Sequence, residues 1–363
     1  MRAAAFVGVA PRHDTPPGSV RRYDSWQEFR STQLPGLHGG RYWNDIAYAV
    51  HGFFLNGGSR CYVANVGLGG TPADGLAALA AVNDVSIIAA PGCTEFADYE
   101  ALTHHCEIAC DRVAILDGPP RISDVVRRAL AGRPDSDEPG TWRLPPVSTR
   151  GAAAFYAPWI RIADPDAPPG ATVGVPASGH IAGVWARVAA AHGIHKSPAG
   201  ETIAGALDVV SPFPQLDSEG LAGMVNTLRV LLERGVVVWG ARTTAAESPW
   251  RYVAARRLVD LVSVSLRRGT RWAAYETPGE AVMAAIRLHV ADFLDRLWRQ
   301  GELQGSVPQE AYFVRCDETT TTAADVRTGT LVLIVGLAVL RPGEFVTLTI
   351  RQAEAGAEVV ESA

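Results

Sequence analysis

The 363-residue chain predicts an α/β fold built on parallel strands, and three observations predict it. Short apolar runs, RCYVANV (60–66), VSIIAA (85–90) and RVAILD (112–117), alternate with segments that fit helices at about 73–82 and 95–110. Strand–helix–strand–helix–strand implies parallel pairing through crossover helices. A hydrophobic content of 47% supports a sizeable core, and the length suits two domains or one large domain with an appendage.

The elements follow in chain order. AAAFVGV (3–9) reads as a strand ended by Pro11 and the turn-rich HDTPPG. DSWQEFR (24–30) reads as a short capped helix. Tyr42 to Phe54 reads as a helix that Asn56-Gly57-Gly58 breaks. After the three strands above, 132–149 reads as a Pro-rich exposed loop. AAAFYAPWIRI (152–162) reads as one core strand and about 177–191 as a helix. Ser218 to Glu233 reads as a helix with Leu221, Met224, Val225, Leu228 and Leu232 on one face and Gly235 as its stop. VVVW (236–239) is a buried strand.

In the next helix Ser248 is the expected cap and Pro249 the first residue, with Tyr252, Ala255, Val259 and Val262 on one side. Thr277-Pro278-Gly279-Glu280 reads as a capping box. It opens a helix whose apolar stripe is Val282, Ile286, Val290, Phe293 and Leu297. AYFVRC (311–316), TLVLIVGLAVL (330–340) and EFVTLTIRQ (344–352) read as strands. In the last, Val346, Leu348 and Ile350 alternate with Phe345, Thr347 and Thr349, and a polar Ala/Glu tail follows.

The formal net charge is −5, which gives no global support to nucleic-acid binding. Lys196 is the only lysine, and five cysteines make an odd count that does not suit a secreted disulfide framework. MRAAAFVGVAPRHD lacks the long apolar core of a signal peptide, and no apolar run approaches a membrane span. The expectation is a chain made and kept in the cytoplasm.

Four groups of residues bear on possible chemistry. There is no GxxxxGK[ST] loop, and NGGSR (56–60) precedes a strand, as a turn does, rather than linking a strand to a helix. Ser178 and His180 lie close in sequence and Asp117 ends a strand, but there is no GxSxG elbow. His104, His105, Cys106 and Cys110 crowd one helix without a second ligand pair at metal-site spacing. Asp317 with Glu318, and Asp164 with Asp166, read as solvated turn residues. The expectation is no catalytic residues, no cofactor and no metal. WGARTTAAESPWRYVAARRL (239–258) is rich in arginine and aromatic residues. Arg242, Arg251, Arg256 and Arg257 suit either a grip on an anion or nucleic acid or a structural lattice without ligand.

Several collinear segments together resemble the sheath proteins of contractile phage tails and contractile injection systems. They include AAFVGVAPR (4–12), AYAVHGFFLNGGSRCYVANV (47–66), DRVAILDGPP (111–120) and AAFYAPWIRIADP (153–165). VPASGHIAGVWARV (175–188), RGVVVWGARTTAAESPWRYVAARRL (234–258) and DVRTGTLVLIVGLAVLRPGEFVTLTIRQ (325–352) continue the run. The resemblance implies a subtilisin-like α/β core over 1–268 and a smaller C-terminal α+β domain over 269–363 with an extended terminal strand. For Arg242, Arg251, Arg256 and Arg257 it implies the lattice, as bracing within the core rather than subunit contact.

The resemblance also implies a structural subunit, not an enzyme. Such subunits form a six-start helical homo-oligomer around an inner tube protein and contract to drive the tube through a target envelope. Baseplate and cap proteins are further implied partners, with an AAA+ disassembly ATPase beside them, and neither nucleic-acid binding nor membrane insertion is implied. Assembly would be cytoplasmic, and the product a phage tail or a tail-like particle open to release. Glu344, Phe345, Val346, Thr347, Leu348, Thr349 and Ile350 are the expected inter-subunit arm, adding a strand to a neighbour's sheet. The expected tube-facing residues are Arg287, Asp292, Asp295 and Arg299. The family's amino-terminal arm is not evident before the first strand, which keeps open a terminal collar or baseplate-proximal paralogue. A serine hydrolase is the remote alternative.

Overall fold

The computed structural model describes residues 3–12, 14–34, 43–121, 143–165, 167–211, 223–247 and 249–362. Its contacts divide the chain into two units: Met1–His192 with Lys196–Ala254, and Gly193–His195 with Ala255–Ala363. The division falls at the start of a helix, Val253–Gly269, whereas the sequence placed it after residue 268. A helix is a single hydrogen-bonded body, so its body stays with one unit.

The first unit carries an eight-stranded sheet. Its strands are β1 (Ala3–Gly8), β2 (Val20–Tyr23), β3 (Cys61–Asn65), β4 (Val85–Ala89), β5 (Val113–Asp117), β6 (Ala153–Ala157), β10 (Val225–Leu231) and β11 (Gly235–Val238). The order is β11-β10-β6-β5-β4-β1-β3-β2. Pairing is parallel from β10 to β3 and antiparallel only at the two outer pairs. The central parallel strands β1, β3, β4, β5 and β6 are short and largely apolar because both faces are covered. Along β1, Ala4 and Phe6 enter one core while Ala5 and Val7 enter the other.

On the first face lie α1 (Trp26–Gln33), capped by Ser25, α2 (Asp45–Leu55), capped by Asn44, and α5 (Ser178–His192). On the second lie α3 (Pro72–Leu79) and α4 (Phe96–Ala109), supplying Leu76, Leu79, Tyr99 and Leu102. Helices α2 and α5 meet through glycines. A Cβ on Gly179 would lie 2.3 Å from Ala49 Cα, and one on Gly52 would strike the His180 ring.

Two sequence expectations fail in this unit. Residues 152–162 form two strands, β6 and β7 (Ile160–Ala163), in different sheets. Pro158 has no N–H for a ladder and divides them. β7 pairs with β8 (Thr172–Val175) and β9 (Ala206–Val209) in a three-stranded sheet. The helix expected from Ser218 is also absent over its described part, where Val225–Leu231 is β10. Its beginning, with Leu221, lies outside the described residues. Glu233 and Gly235, both at positive φ, turn the chain back into β11. Leu228 faces the core while Leu232 is 96% exposed at the turn.

The second unit holds most of α6 (Val253–Gly269), a 3₁₀ turn (Arg271–Tyr275) and α7 (Glu280–Arg299). Beyond them come α8 (Pro308–Ala311), β12 (Tyr312–Arg315), α9 (Ala323–Arg327), β13 (Leu331–Leu337), β14 (Val346–Ala353) and β15 (Gly356–Ser362). The four strands form an antiparallel sheet in the order β12-β13-β14-β15. α7 starts from Gly279 without the expected Thr277 capping box. Its buried stripe is Met283, Ile286, Val290, Leu294 and Leu297, one step round from the predicted Val282 and Phe293. α6 begins at Val253, past Pro249, and Ser248 lies outside the described residues.

The expected arm is paired within the chain from Val346 to Ile350. Val346, Leu348 and Ile350 are buried, and β14 is hydrogen-bonded to β13 on one side and β15 on the other. The turn at Glu354–Ala355 folds 356–362 back as a strand, so Glu344–Ile350 has no edge to lend in this fold. The free edges of the sheet belong to β12 and β15.

Candidate functional site

Ser178, His180 and Asp117 come close together but not as a triad. Asp117 ends β5, and Ser178 opens α5 above the end of the sheet. The Ser178 backbone N–H donates to Asp117 Oδ1 at 2.8 Å and its hydroxyl donates to Oδ2 at 2.5 Å. The Gly92 N–H adds a longer bond to Oδ2 at 3.3 Å. The carboxylate thereby caps the positive end of α5. The serine proton goes to the carboxylate rather than to an imidazole. His180 instead packs on Gly52, and among the described residues neither of its ring nitrogens has a hydrogen-bond partner. Ser178, His180 and Asp117 are all buried, so a substrate carbonyl has no approach. Burial pushes Asp117 up to about 6, against the hydrogen bonds from Ser178 and Gly92, and pushes His180 down to about 3.

The His/Cys-rich helix α4 also disperses its groups. Cys106 is buried, His104 is exposed, and His105 lies 3.5 Å from Arg112 Nη1. Cys110 caps the helix at positive φ, with Arg150 Nη1 2.7 Å from its sulfur. Among the described residues, no three His, Cys, Asp or Glu side chains are placed to hold a metal ion.

The four arginines divide between two settings. Arg242 lies beside β10. Its N–H donates to Asn226 Oδ1, and its carbonyl accepts from Asn226 Nδ2, each at 2.7 Å. Arg242 also bridges Tyr252, while the Arg251 carbonyl accepts from Thr243 N–H. Both side chains are half-buried. Arg256 and Arg257, on α6, are buried. Arg256 grips Glu361 of β15 through two bonds, 2.7 and 2.9 Å, and Asp260 at 2.7 Å. Burial works against its charge, but Asp260 and Glu361 outweigh burial and hold its pKa above the ordinary value.

Sequence reasoning missed Asn226, Asp260 and Glu361. Asn226 lay in a segment read as a helix, and Glu361 lay in the polar Ala/Glu tail. Their one legible signal was polarity inside otherwise apolar or alternating runs.

The polar side of α7 is only partly free. Arg287 donates to the Cys316 carbonyl and pairs with Glu280 at 2.6 Å. Asp295 pairs with Arg299 at 2.8 Å and Asp292 with Arg296, both across one helical turn at the surface.

No family model matches the chain. A prophage major tail sheath protein of Pseudomonas aeruginosa (strain UCBPP-PA14) is 31% identical over 103 residues, 27% of each chain. The match therefore spans about a quarter of that relative. Two solved structures agree over almost the whole length. A chain of the anti-feeding prophage baseplate has a TM-score of 0.75 at 25% identity, over 95% of this chain and 91% of that one. The sheath complex of an extracellular contractile injection system, PVC, in its contracted state has a TM-score of 0.74 at 26% identity, over 94% and 89%. The resemblance read from the sequence thus holds: a homologue is a tail sheath protein, and the structural neighbours are parts of contractile particles. Among the described residues no helix is long and apolar enough to cross a membrane.

Proposed function

We propose that the chain is a structural subunit of a contractile sheath, which polymerises helically around a rigid inner tube and rearranges to drive the tube through a target envelope. The observation that carries this reading is the chain-long likeness to a contracted sheath at 26% identity. The buried Ser178–Asp117 contact and the closed Arg256–Asp260–Glu361 group suit a load-bearing part rather than a catalyst. The reading is non-enzymatic, with the parallel-stranded first unit as the subtilisin-like core. It includes six-start packing, cytoplasmic assembly, and baseplate, cap and disassembly-ATPase partners.

Strand addition between copies would use the free edges of β12 or β15, and the exposed side of α7 around Asp292, Asp295 and Arg299 would face the tube. The test is electron microscopy of the purified chain, alone and with purified tubes. Helical sheaths that survive Ser178→Ala support the reading. A particle that stays dispersed with tubes, or an ester or peptide hydrolysis lost in Ser178→Ala, overturns it.

A further inference from the structure

Two exposed surfaces of the chain are chemically complementary. The first is an open groove of about 420 Å³ between α4 and the segment at 146–147, lined by Glu100, His104, Glu107 and Val147. Val147 is half-exposed, and Ile108, next along the helix, is 70% exposed. From Glu95 to Cys110 the chain has four carboxylates and neither lysine nor arginine. Ser148 takes one Glu107 oxygen, and Arg150 turns to the Glu107 carbonyl and Cys110, which leaves Glu100 as the exposed charge at the groove.

The second surface is the end of α6 and the 3₁₀ turn after it. From Ser263 to Tyr275 the chain has three arginines, Arg267, Arg268 and Arg271, and no acid. Arg267 and Arg271 have no carboxylate partner among the described residues. Trp272 and Tyr275 are three apart in a 3₁₀ helix, so they project from one side. They are 39% and 65% exposed, while Ala273 between them is buried and anchors the turn. Exposed Trp and Tyr flanked by Arg is the composition of an interface centre rather than of a solvated surface.

We infer that the Trp272–Tyr275 face of one copy docks in the α4 groove of a second copy, with Arg271 against Glu100. The inference rests on the sheath-subunit reading and supplies it with a specific contact. Its logic is independent of strand exchange. A patch and a groove at different places on one chain make a heterologous contact, and repeated heterologous contacts that do not close build a helix. Charge complementarity selects a second copy as occupant: Glu100 is the exposed acid at the groove, and Arg267 and Arg271 are the cations beside Trp272 without a carboxylate partner among the described residues.

The test uses the full chain and four variants: Arg271→Glu, Glu100→Arg, both together, and Trp272→Ala. Sedimentation across a wide concentration range and electron microscopy read the assembly threshold, and circular dichroism checks the fold. Each single reversal and Trp272→Ala should raise the threshold roughly tenfold or more. The double reversal, which restores opposite charges across the contact, should return to within about threefold of the parent. Assembly indifferent to all four variants, or a double reversal worse than either single, sinks the contact and leaves the sheath reading standing. A parent chain that never associates sinks both.

Discussion

Two buried polar sites, one in each unit, are held in opposite ways. Around Asp117 the first unit buries polarity with little charge to balance it: a carboxyl held by a hydroxyl and two N–H groups, and an unpartnered neutral His180 close along α5. Around Arg256 the second unit keeps full charges and closes them on one another. The first arrangement answers to protons, because its carboxyl and imidazole both have displaced pKa values. The second answers to the loss of a partner, because a buried charge left alone has nothing to replace it.

The largest effect should come from breaking the closed group. Arg256→Ala takes the two-bond partner from buried Glu361 and the one-turn partner from Asp260, and should cost the second unit about 3–5 kcal/mol. Replacing Arg256, Asp260 and Glu361 together by apolar residues of similar size should cost less, since the three opposed charges then leave together. Urea midpoints for the two variants measure this. An Arg256→Ala loss no larger than the triple replacement would show that pairing is not what holds β15 to α6.

The pH response should sharpen the contrast. The Asp117 pKa is raised in the folded state, so its stabilisation is fully present below the unfolded value and is lost as pH rises through about 6. The displacement from an ordinary carboxyl corresponds to about 3 kcal/mol. The His180 pKa is depressed, so its contribution is present above the ordinary imidazole value and is lost as pH falls toward about 3. Between roughly pH 4 and 6 the two oppose each other. Asp117→Asn removes one side. Relative to the parent, its stability should fall by up to about 3 kcal/mol more between pH 7 and 4. Equal slopes for parent and variant would remove Asp117 from the account.

A smaller effect tests the packing beneath that polar site. Gly179→Ala puts a Cβ 2.3 Å from Ala49 Cα, where backbone rather than a flexible side chain must yield. The expected loss is about 1–3 kcal/mol in the first unit, read as a lowered thermal midpoint. Gly269→Ala on α6, where a new Cβ meets nothing within 4 Å, is the control and should not lower stability by overpacking.

These sites differ in how far the sequence disclosed them. The parallel strands were legible because a strand covered on both faces must be apolar throughout, as VSIIAA and RVAILD are. The segment at 225–231 was not, because Val225, Leu228 and Leu232 fit a helical stripe as well as a strand. A positive-φ turn at Glu233 and a long-range partner in β6 decided for the strand. Pro158 was a visible signal for dividing 152–162, outweighed by the apolar run around it. The Arg256 group joins residues 105 positions apart, and no local pattern announces such a pair. The arginine was legible as a brace while its partner was not. Asp117 and Ser178 were found by residue type, but which proton goes where depends on the placement of α5 over the sheet.

The smallest stability effect expected is at the surface of α7. Asp292–Arg296 is solvent-facing and Asp295–Arg299 pairs an exposed arginine with a partly buried carboxylate, each one turn apart, a class worth about 0.3–0.5 kcal/mol per pair. Asp292→Lys with Asp295→Lys should therefore leave the unfolding midpoint nearly unchanged, in contrast with Arg256→Ala. Arg287 is unsuited to the comparison, since it also holds the Cys316 carbonyl and its loss would mix folding with recognition. If this side of α7 faces the tube, the double variant should fold like the parent and yet fail to extend sheaths on purified tubes. It should also keep whatever self-association the parent shows without tubes. Normal growth on tubes would reject this face as the tube contact, and a large drop in stability would show that the exposed pairs brace the helix.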